Sequence, residues 1–305
     1  MQTVKLINKE AARIDVALAE ALEISRSQAK KLINDGLISF AGKVASPHLL
    51  MEPESKVSMK KALPVAVKKL KDLPELDIIY EDDDVIVVNK PAGLLIHKAP
   101  GNADASLADA LLKYCPGMKK AGEDENRRGI VHRLDKEASG IIIAAKNQTA
   151  FRHLKRQFSD RLTEKHYTVL VMGDVKDAHG TIRFPIARSS TRARMAARPE
   201  SQDGKEAVTH YEVKQHFSNS TLLDVLIETG RTHQIRAHFF ALGFPVAGDA
   251  LYARKDIKAV PGLTRLFLHA RALGITLPNG EKKTFEAPLP KELEAVLTTL
   301  KIRKE

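Results

Sequence analysis

Asp135 follows the basic pair His132 and Arg133 and stands shortly before a Gly-led apolar run, in the segment GIVHRLDKEASGIIIAAK from Gly129 to Lys146. A carboxylate flanked by cations, on a loop that feeds a strand, suits a reaction centre in a polyanion-binding protein. The cations hold the anion and the carboxylate can serve as nucleophile or proton acceptor. Alone, such an Asp would read as a surface ion pair worth little. Two further segments give it company. In TGRTHQIRAHFFALGFPVAGDALY, Gly230 and Thr232 lead into a helix whose inward stripe is Ile235, Phe239 and Leu242, with Arg231 at its N-terminal edge. In EKHYTVLV, Tyr167 enters a strand, where taken alone it reads as a core residue with a satisfied hydroxyl.

Other chemistries find no frame. His233 and His238 are five residues apart and lack an HExxH setting, so no zinc site is expected. Ser139 has no nucleophile-elbow context, and a glycosidase needs two cooperating carboxylates where this site offers one acid with an arginine. No Gly-rich phosphate loop follows a strand, which disfavours dinucleotide folds and P-loop enzymes. The single cysteine, Cys115, rules out an intrachain disulfide and a Cys-based zinc cluster. Neither a cofactor nor a metal is expected.

Charge names the class of partner. The 305 residues carry a formal net charge of +11, and Arg127 to Arg198 alone holds 16 Lys and Arg against 6 Asp and Glu. One-signed clustering of this kind tracks nucleic-acid contact. The N-terminal MQTVKLINKEAARIDVALAE lacks a continuous apolar core, and no stretch approaches the roughly 18 apolar residues of a membrane span. A cytoplasmic protein with no membrane association is expected, and the triplets at Asn147 and Asn219 are not read as glycosylation sites.

The positioning elements fall into two domains. Residues 1–60 read as two short helices and a hairpin. Ile14, Ala17, Leu18, Ala21 and Leu22 form one apolar stripe. The second helix opens on a capping box at Ser25 and Gln28, buries Ala29, Leu32 and Ile33, and stops at Gly36. Arg26, Lys30 and Lys31 lie on its other side, and Lys43 follows in the loop of the hairpin. Residues 61–75, with Pro64, Pro74 and three lysines between them, read as a basic linker. From residue 76 to 305 the pattern is strand-rich: two strands split by the acidic turn Asp82, Asp83 and Asp84, then strands at 167–172, 207–213 and 222–228. Leu223, Val225 and Ile227 share one face of the last. Between Gln148 and Leu162 a helix turns Phe151, Leu154, Phe158 and Leu162 inward. Periodicity by itself establishes only an α+β chain.

The segment around Asp135 closely resembles the HRLDxxTSG signature of the RluA-type pseudouridine synthases, and GRTHQIR, EKHYTVLV, NKPAGLLIH and LFLHARALGITLPNGEKKTFEAPLP are similar to further motifs of that family. The resemblance spans almost all of residues 78–290. Residues 1–60 resemble an S4 domain, a small RNA-binding module. The resemblance implies a catalytic domain with a mixed, mostly antiparallel sheet flanked by helices. Its reaction isomerises uridine: the C1′–N1 bond breaks, the uracil turns, and C1′ joins C5. It implies Asp135 as the catalytic carboxylate, Arg231 as its ion-pair partner, Tyr167 as the platform for the base, and Arg133 as the wedge that fills the gap left by a flipped uridine. Lys90 and Pro91 are expected to be architectural and His269 a structural hydrogen-bonding residue. Arg26, Lys30, Lys31 and Lys43 would supply salt-sensitive phosphate contacts. The expected partner is RNA, large-subunit (23S-type) ribosomal RNA first and transfer RNA as the alternative, bound by a monomer. A non-catalytic RNA-binding or ribosome-assembly factor on the same scaffold would need none of Asp135, Arg231 and Tyr167. An unrelated DNA-binding enzyme would bind RNA and DNA equally. One departure stands out: Ala138 occupies the usual Thr position, which removes a hydroxyl worth about 1 kcal/mol of loop order.

Overall fold

The computed structural model describes residues 2–6, 8, 10–22, 26–34, 36–59, 73–98, 105–190, 194–199, 202–254 and 256–303. Most of the expected linker, residues 61–72, and Ser25 of the expected capping box lie outside the described residues. The chain divides into two compact units, Met1–Leu73 with Lys98–Ala105, and Pro74–His97 with Ser106–Glu305.

The smaller unit packs the helices Ile14–Ala21 and Arg26–Asn34 with a four-stranded antiparallel sheet in the order Gln2–Lys5, Lys56–Met59, Ile38–Phe40, Lys43–Val44. Ile14, Ala17, Leu18, Ala29 and Ile33 are buried together, so both helical stripes meet in one core. The second helix ends as its sequence dictates. Gly36 takes φ +69°, its N–H reaches the carbonyl of Ile33 at 3.0 Å, and Leu37 reaches that of Leu32 at 3.1 Å. These two bonds satisfy carbonyls that the helix end would leave open. Lys43 begins the second strand of the hairpin instead of lying in its loop. Ala41 and Gly42, both at positive φ, close the turn in two residues, the geometry that suits the twist of paired strands.

The larger unit is an α+β body on one mixed, mostly antiparallel sheet. Its strands run in the order His179–Ile182, Thr209–His216, Ser220–Ile227, Glu164–Met172, Leu268–Thr276, Ser139–Ala145, Val85–Lys90, Ile78–Glu81, with Lys282–Glu286 paired to the far half of Leu268–Thr276. The parallel pair is Leu268–Thr276 with Ser139–Ala145. Side chains alternate between two cores. Ile86, Val88, Ile142 and Ala144 face Leu107, Leu111, Ile235 and Phe239, while Val85, Val87, Ile141 and Ile143 face Phe151 and Leu154. Every residue of Ser139–Ala145 is buried, which explains its unbroken apolar sequence. At its start Gly140 has φ +116°, and a Cβ there would lie 2.2 Å from the Ala270 carbonyl oxygen. Only glycine lets these two strands meet.

Two expected inward residues are not inward. The helix Gln148–Ser159 ends before Leu162, because Arg161 turns to φ +59°, and Leu162 is left 63% exposed. Likewise the helix Gln234–Ala241 stops one residue before Leu242, which is 39% exposed. The expected strands are longer or shifted: Glu164–Met172, Thr209–His216 and Ser220–Ile227. Among the described residues no helix is long and apolar enough to cross a membrane.

Candidate active site

Asp135 lies on the loop that enters the strand Ser139–Ala145, and that loop is held from beneath by Lys90. The Lys90 ammonium is fully buried and donates to the carbonyls of Pro91, Leu94 and Lys136 at 2.8, 3.0 and 3.1 Å. Burial pulls its pKa down to about 7, while three carbonyls give each N–H an acceptor. Lys90→Met is expected to destabilise the larger unit by about 2–3 kcal/mol, because the Pro91 and Leu94 carbonyls lose their donor; the Lys136 carbonyl keeps the Gly93 N–H at 2.8 Å. Chemical denaturation measures this. Ala138, whose N–H reaches the Asp135 carbonyl at 3.2 Å, is buried against the core.

The partner of Asp135 is Arg236, not Arg231. Arg236 Nη1 donates to Asp135 Oδ2 at 2.9 Å, while its Nε and Nη2 grip Asp249 at 2.6 and 2.8 Å. Asp249 is itself fixed, its Oδ1 accepting the backbone N–H groups of Leu251 and Tyr252. The rigid guanidinium fork thus bridges two carboxylates, with a bidentate grip on Asp249 that the point charge of a lysine does not supply. Arg231 fails the expected role because its loop aims it elsewhere. Its own N–H is bound by Gln234 Oε1 at 3.0 Å and its Nε donates to the Glu206 carbonyl at 2.9 Å. Gln234 is anchored in turn by Thr229, the Val208 carbonyl and Thr209, all buried. The signal that could have singled out Arg236 is its place inside a helix among buried neighbours, with an acid available in the GDALY turn.

Around Asp135 opens a cleft of about 540 Å³, lined among others by Tyr167, Arg133, Lys165, Arg161 and Arg231. Tyr167 sits where the strand Glu164–Met172 bulges against Leu268–Thr276, an irregularity that re-aims side chains. Burial first, and the charge of Asp135 second, push its phenol far above the usual range, so the ring meets the cleft as a neutral face. Arg133 is exposed at the rim. Arg161 is paired with Glu206, and Lys165 donates to the Glu228 carbonyl at 3.0 Å.

His132 is structural in its bonding. Its ring stacks on Phe158 with centroids 4.4 Å apart, and its Nε2 accepts the Ile143 N–H at 3.0 Å. Burial, reinforced by Lys165, pulls its pKa down to about 3. The fold therefore refuses a proton that the unfolded chain accepts near pH 6.5. The stabilisation is complete above that pH and is lost as pH falls toward 3. Relative to His132→Gln, the wild-type chain should lose up to about 1.4 kcal/mol per pH unit between pH 6 and pH 4, measured by denaturant titration. His269 receives the Ser139 hydroxyl on Nδ1 at 2.9 Å and donates Nε2–H to the Ala287 carbonyl at 3.2 Å. His238 similarly joins Thr209 to the Phe184 carbonyl.

In the smaller unit Lys30 and Lys43 are exposed, and Arg26 is tied to the buried Asp15 at 3.0 Å. The side chain of Lys31 lies outside the described residues.

Residues 84–241 match the family described as RNA pseudouridylate synthase. The chain is 37% identical over 296 residues to an uncharacterized RNA pseudouridine synthase of Bacillus subtilis (strain 168), covering 96% of this chain and 95% of that protein. It is 36% identical over 308 residues to ribosomal large subunit pseudouridine synthase D of Vibrio vulnificus (strain CMCP6), covering 95% and 91%. Of solved structures, human RNA pseudouridylate synthase domain containing 1 superposes with a TM-score of 0.61 at 26% identity, over 80% of this chain and 92% of that one.

Proposed function

The chain belongs to the RNA pseudouridylate synthase family, and from that premise we propose that it isomerises specific uridines of large-subunit ribosomal RNA, by base flipping and through the carboxylate of Asp135. The observation that carries this reading is the Arg236 fork between Asp135 and the buried Asp249, which sets one carboxylate in a cationic cleft. An arginine so placed pairs the charge of the acid and aims it when a bound base excludes water. The carboxylate acts at the ribose, by attack on C1′ or by taking the C2′ proton. A paired uridine hides its glycosidic bond, so it must leave the stack. Arg133, exposed at the rim, fills the space it vacates, and Tyr167 receives its face. Arg26, Lys30, Lys31 and Lys43 of the smaller unit, read as an S4 module, add phosphate contacts. The preference for ribosomal over transfer RNA rests on relatives such as the Vibrio vulnificus protein, which is named for the large ribosomal subunit.

The test is to map pseudouridines across total RNA in a deletion strain complemented with the wild-type gene or with Asp135→Ala. Sites in large-subunit RNA should vanish on deletion and return only with the intact carboxylate. Sites confined to transfer RNA would move the substrate. An unchanged map would sink the assignment.

A further inference from the structure

His233 is the one described residue of the cleft's helix entry held in a left-handed backbone, at φ +54°, a conformation that a bulky side chain occupies only under constraint. What constrains it is plain. Its carbonyl accepts the Ala237 N–H at 2.8 Å as the first helical bond, and the next residue is the fully bonded Gln234. The strain presents the imidazole to Asp135, with Nε2 3.9 Å from Oδ1, the oxygen that does not take the Arg236 Nη1 bond.

Hydrogen bonding fixes which nitrogen carries the proton. The Tyr252 hydroxyl donates to the Met195 carbonyl at 2.9 Å, so toward His233 Nδ1, 3.3 Å away, it can only accept. Nδ1 therefore holds the hydrogen, and Nε2 faces the cleft with a free lone pair. The charged and titratable groups around the ring are Asp135, Arg236, Asp249, Arg133 and Tyr252, and burial keeps the imidazole neutral against the pull of Asp135. Of the other cleft side chains, His132 spends Nε2 on Ile143, Lys165 donates to the Glu228 carbonyl, and burial holds Tyr167 as a neutral phenol.

Resting on the proposed reaction, we infer that His233 is the base that removes the C5 proton in its last step. Once C1′ has joined C5, that carbon carries both the sugar and its original hydrogen, and N1 is doubly bonded to C6. His233 Nε2 takes the C5 proton; the C5–H electron pair becomes the C5=C6 bond, and the N1=C6 π pair returns to N1. The imidazolium then gives a proton to N1, directly or through water. One proton leaves C5 and one arrives at N1, so no other reactant is consumed. Asp135 is left free for the ribose.

The experiment uses the full chain in single-turnover reactions on a transcript of bacterial large-subunit ribosomal RNA made with uridine or with 5-deuterouridine. Two variants suit the backbone: His233→Asn, which tolerates the left-handed region, and His233→Gly, which relieves the strain and opens a space for added imidazole. Each should slow pseudouridine formation by about 10²–10⁴-fold. Each should also expose a primary isotope effect from C5 deuterium, and imidazole should restore the rate of His233→Gly. Wild-type rates in both variants would overturn the role of His233, as would a slowed reaction with neither isotope effect nor rescue. No conversion by the wild-type chain would overturn the proposed function and this inference with it.

Discussion

Arg236→Met is expected to cost about 3–5 kcal/mol of stability in the larger unit and to remove activity, while Arg231→Met leaves the fold within about 1 kcal/mol of wild type. The difference follows from what each guanidinium compensates. Asp249 is fully buried and Asp135 nearly so, at 0% and 13% side-chain exposure, and Arg236 is the cation between them. Without it two buried carboxylates face each other uncompensated, the situation in which breaking a buried pair is strongly destabilising. The attraction of both acids holds the Arg236 pKa above its usual value against burial, so no accessible pH neutralises it. Arg231 is half-buried, and its side chain holds one backbone carbonyl; removing it forfeits a single hydrogen bond. Arg236→Lys separates charge from geometry. A lysine restores a positive charge but serves one carboxylate well at a time, so stability should recover in large part while turnover stays depressed by at least about 10²-fold. Denaturant titration and single-turnover rates on the same preparations check all three variants. Equal effects at positions 231 and 236 would return Arg231 to the role its sequence suggested.

That reassignment shows where sequence reading stops. Local signals were legible because they are local: the stripes of Ile14 to Leu18 and Ala29 to Ile33, the left-handed stop at Gly36, the alternation of Leu223, Val225 and Ile227, and the Asp135 loop feeding a buried strand. The cleft that gathers Asp135 and Tyr167 was legible as a combination of motifs. Arg231 and Arg236 were not separable, because the helix begins only at Gln234 and no period links the first arginine to the second. What decides between them is Asp249, thirteen residues beyond Arg236 and fixed by two backbone N–H groups in a turn. Leu162 went astray for a similar reason: a single left-handed residue, Arg161, ended the helix, and side-chain periodicity carries no notice of that. The parallel pairing of His269 with Ser139 joins segments 130 residues apart. Its only trace in the sequence is Gly140, where any side chain would strike Ala270.

Asp135→Asn is expected to abolish turnover, by at least about 10⁴-fold, while leaving the fold and RNA affinity close to wild type. An amide is nearly isosteric with the carboxylate, and its oxygen can still accept from Arg236 Nη1, so the Arg236–Asp249 grip survives. What is lost is charge. Neither attack on C1′ nor removal of the C2′ proton is open to a neutral amide, so both routes fail together. Binding depends instead on the cations of the cleft rim and on phosphate neutralisation, to which a carboxylate contributes unfavourably if at all. Affinity for RNA should therefore hold or rise slightly, with an unchanged dependence on salt. The pair of measurements separates catalysis from scaffolding. Single-turnover conversion tests the chemistry, and a salt-dependent binding isotherm on the same RNA tests the surface. Turnover within about tenfold of wild type would show that Asp135 is not the reacting group, and a matching loss of affinity would show that its charge organises the RNA instead of the reaction.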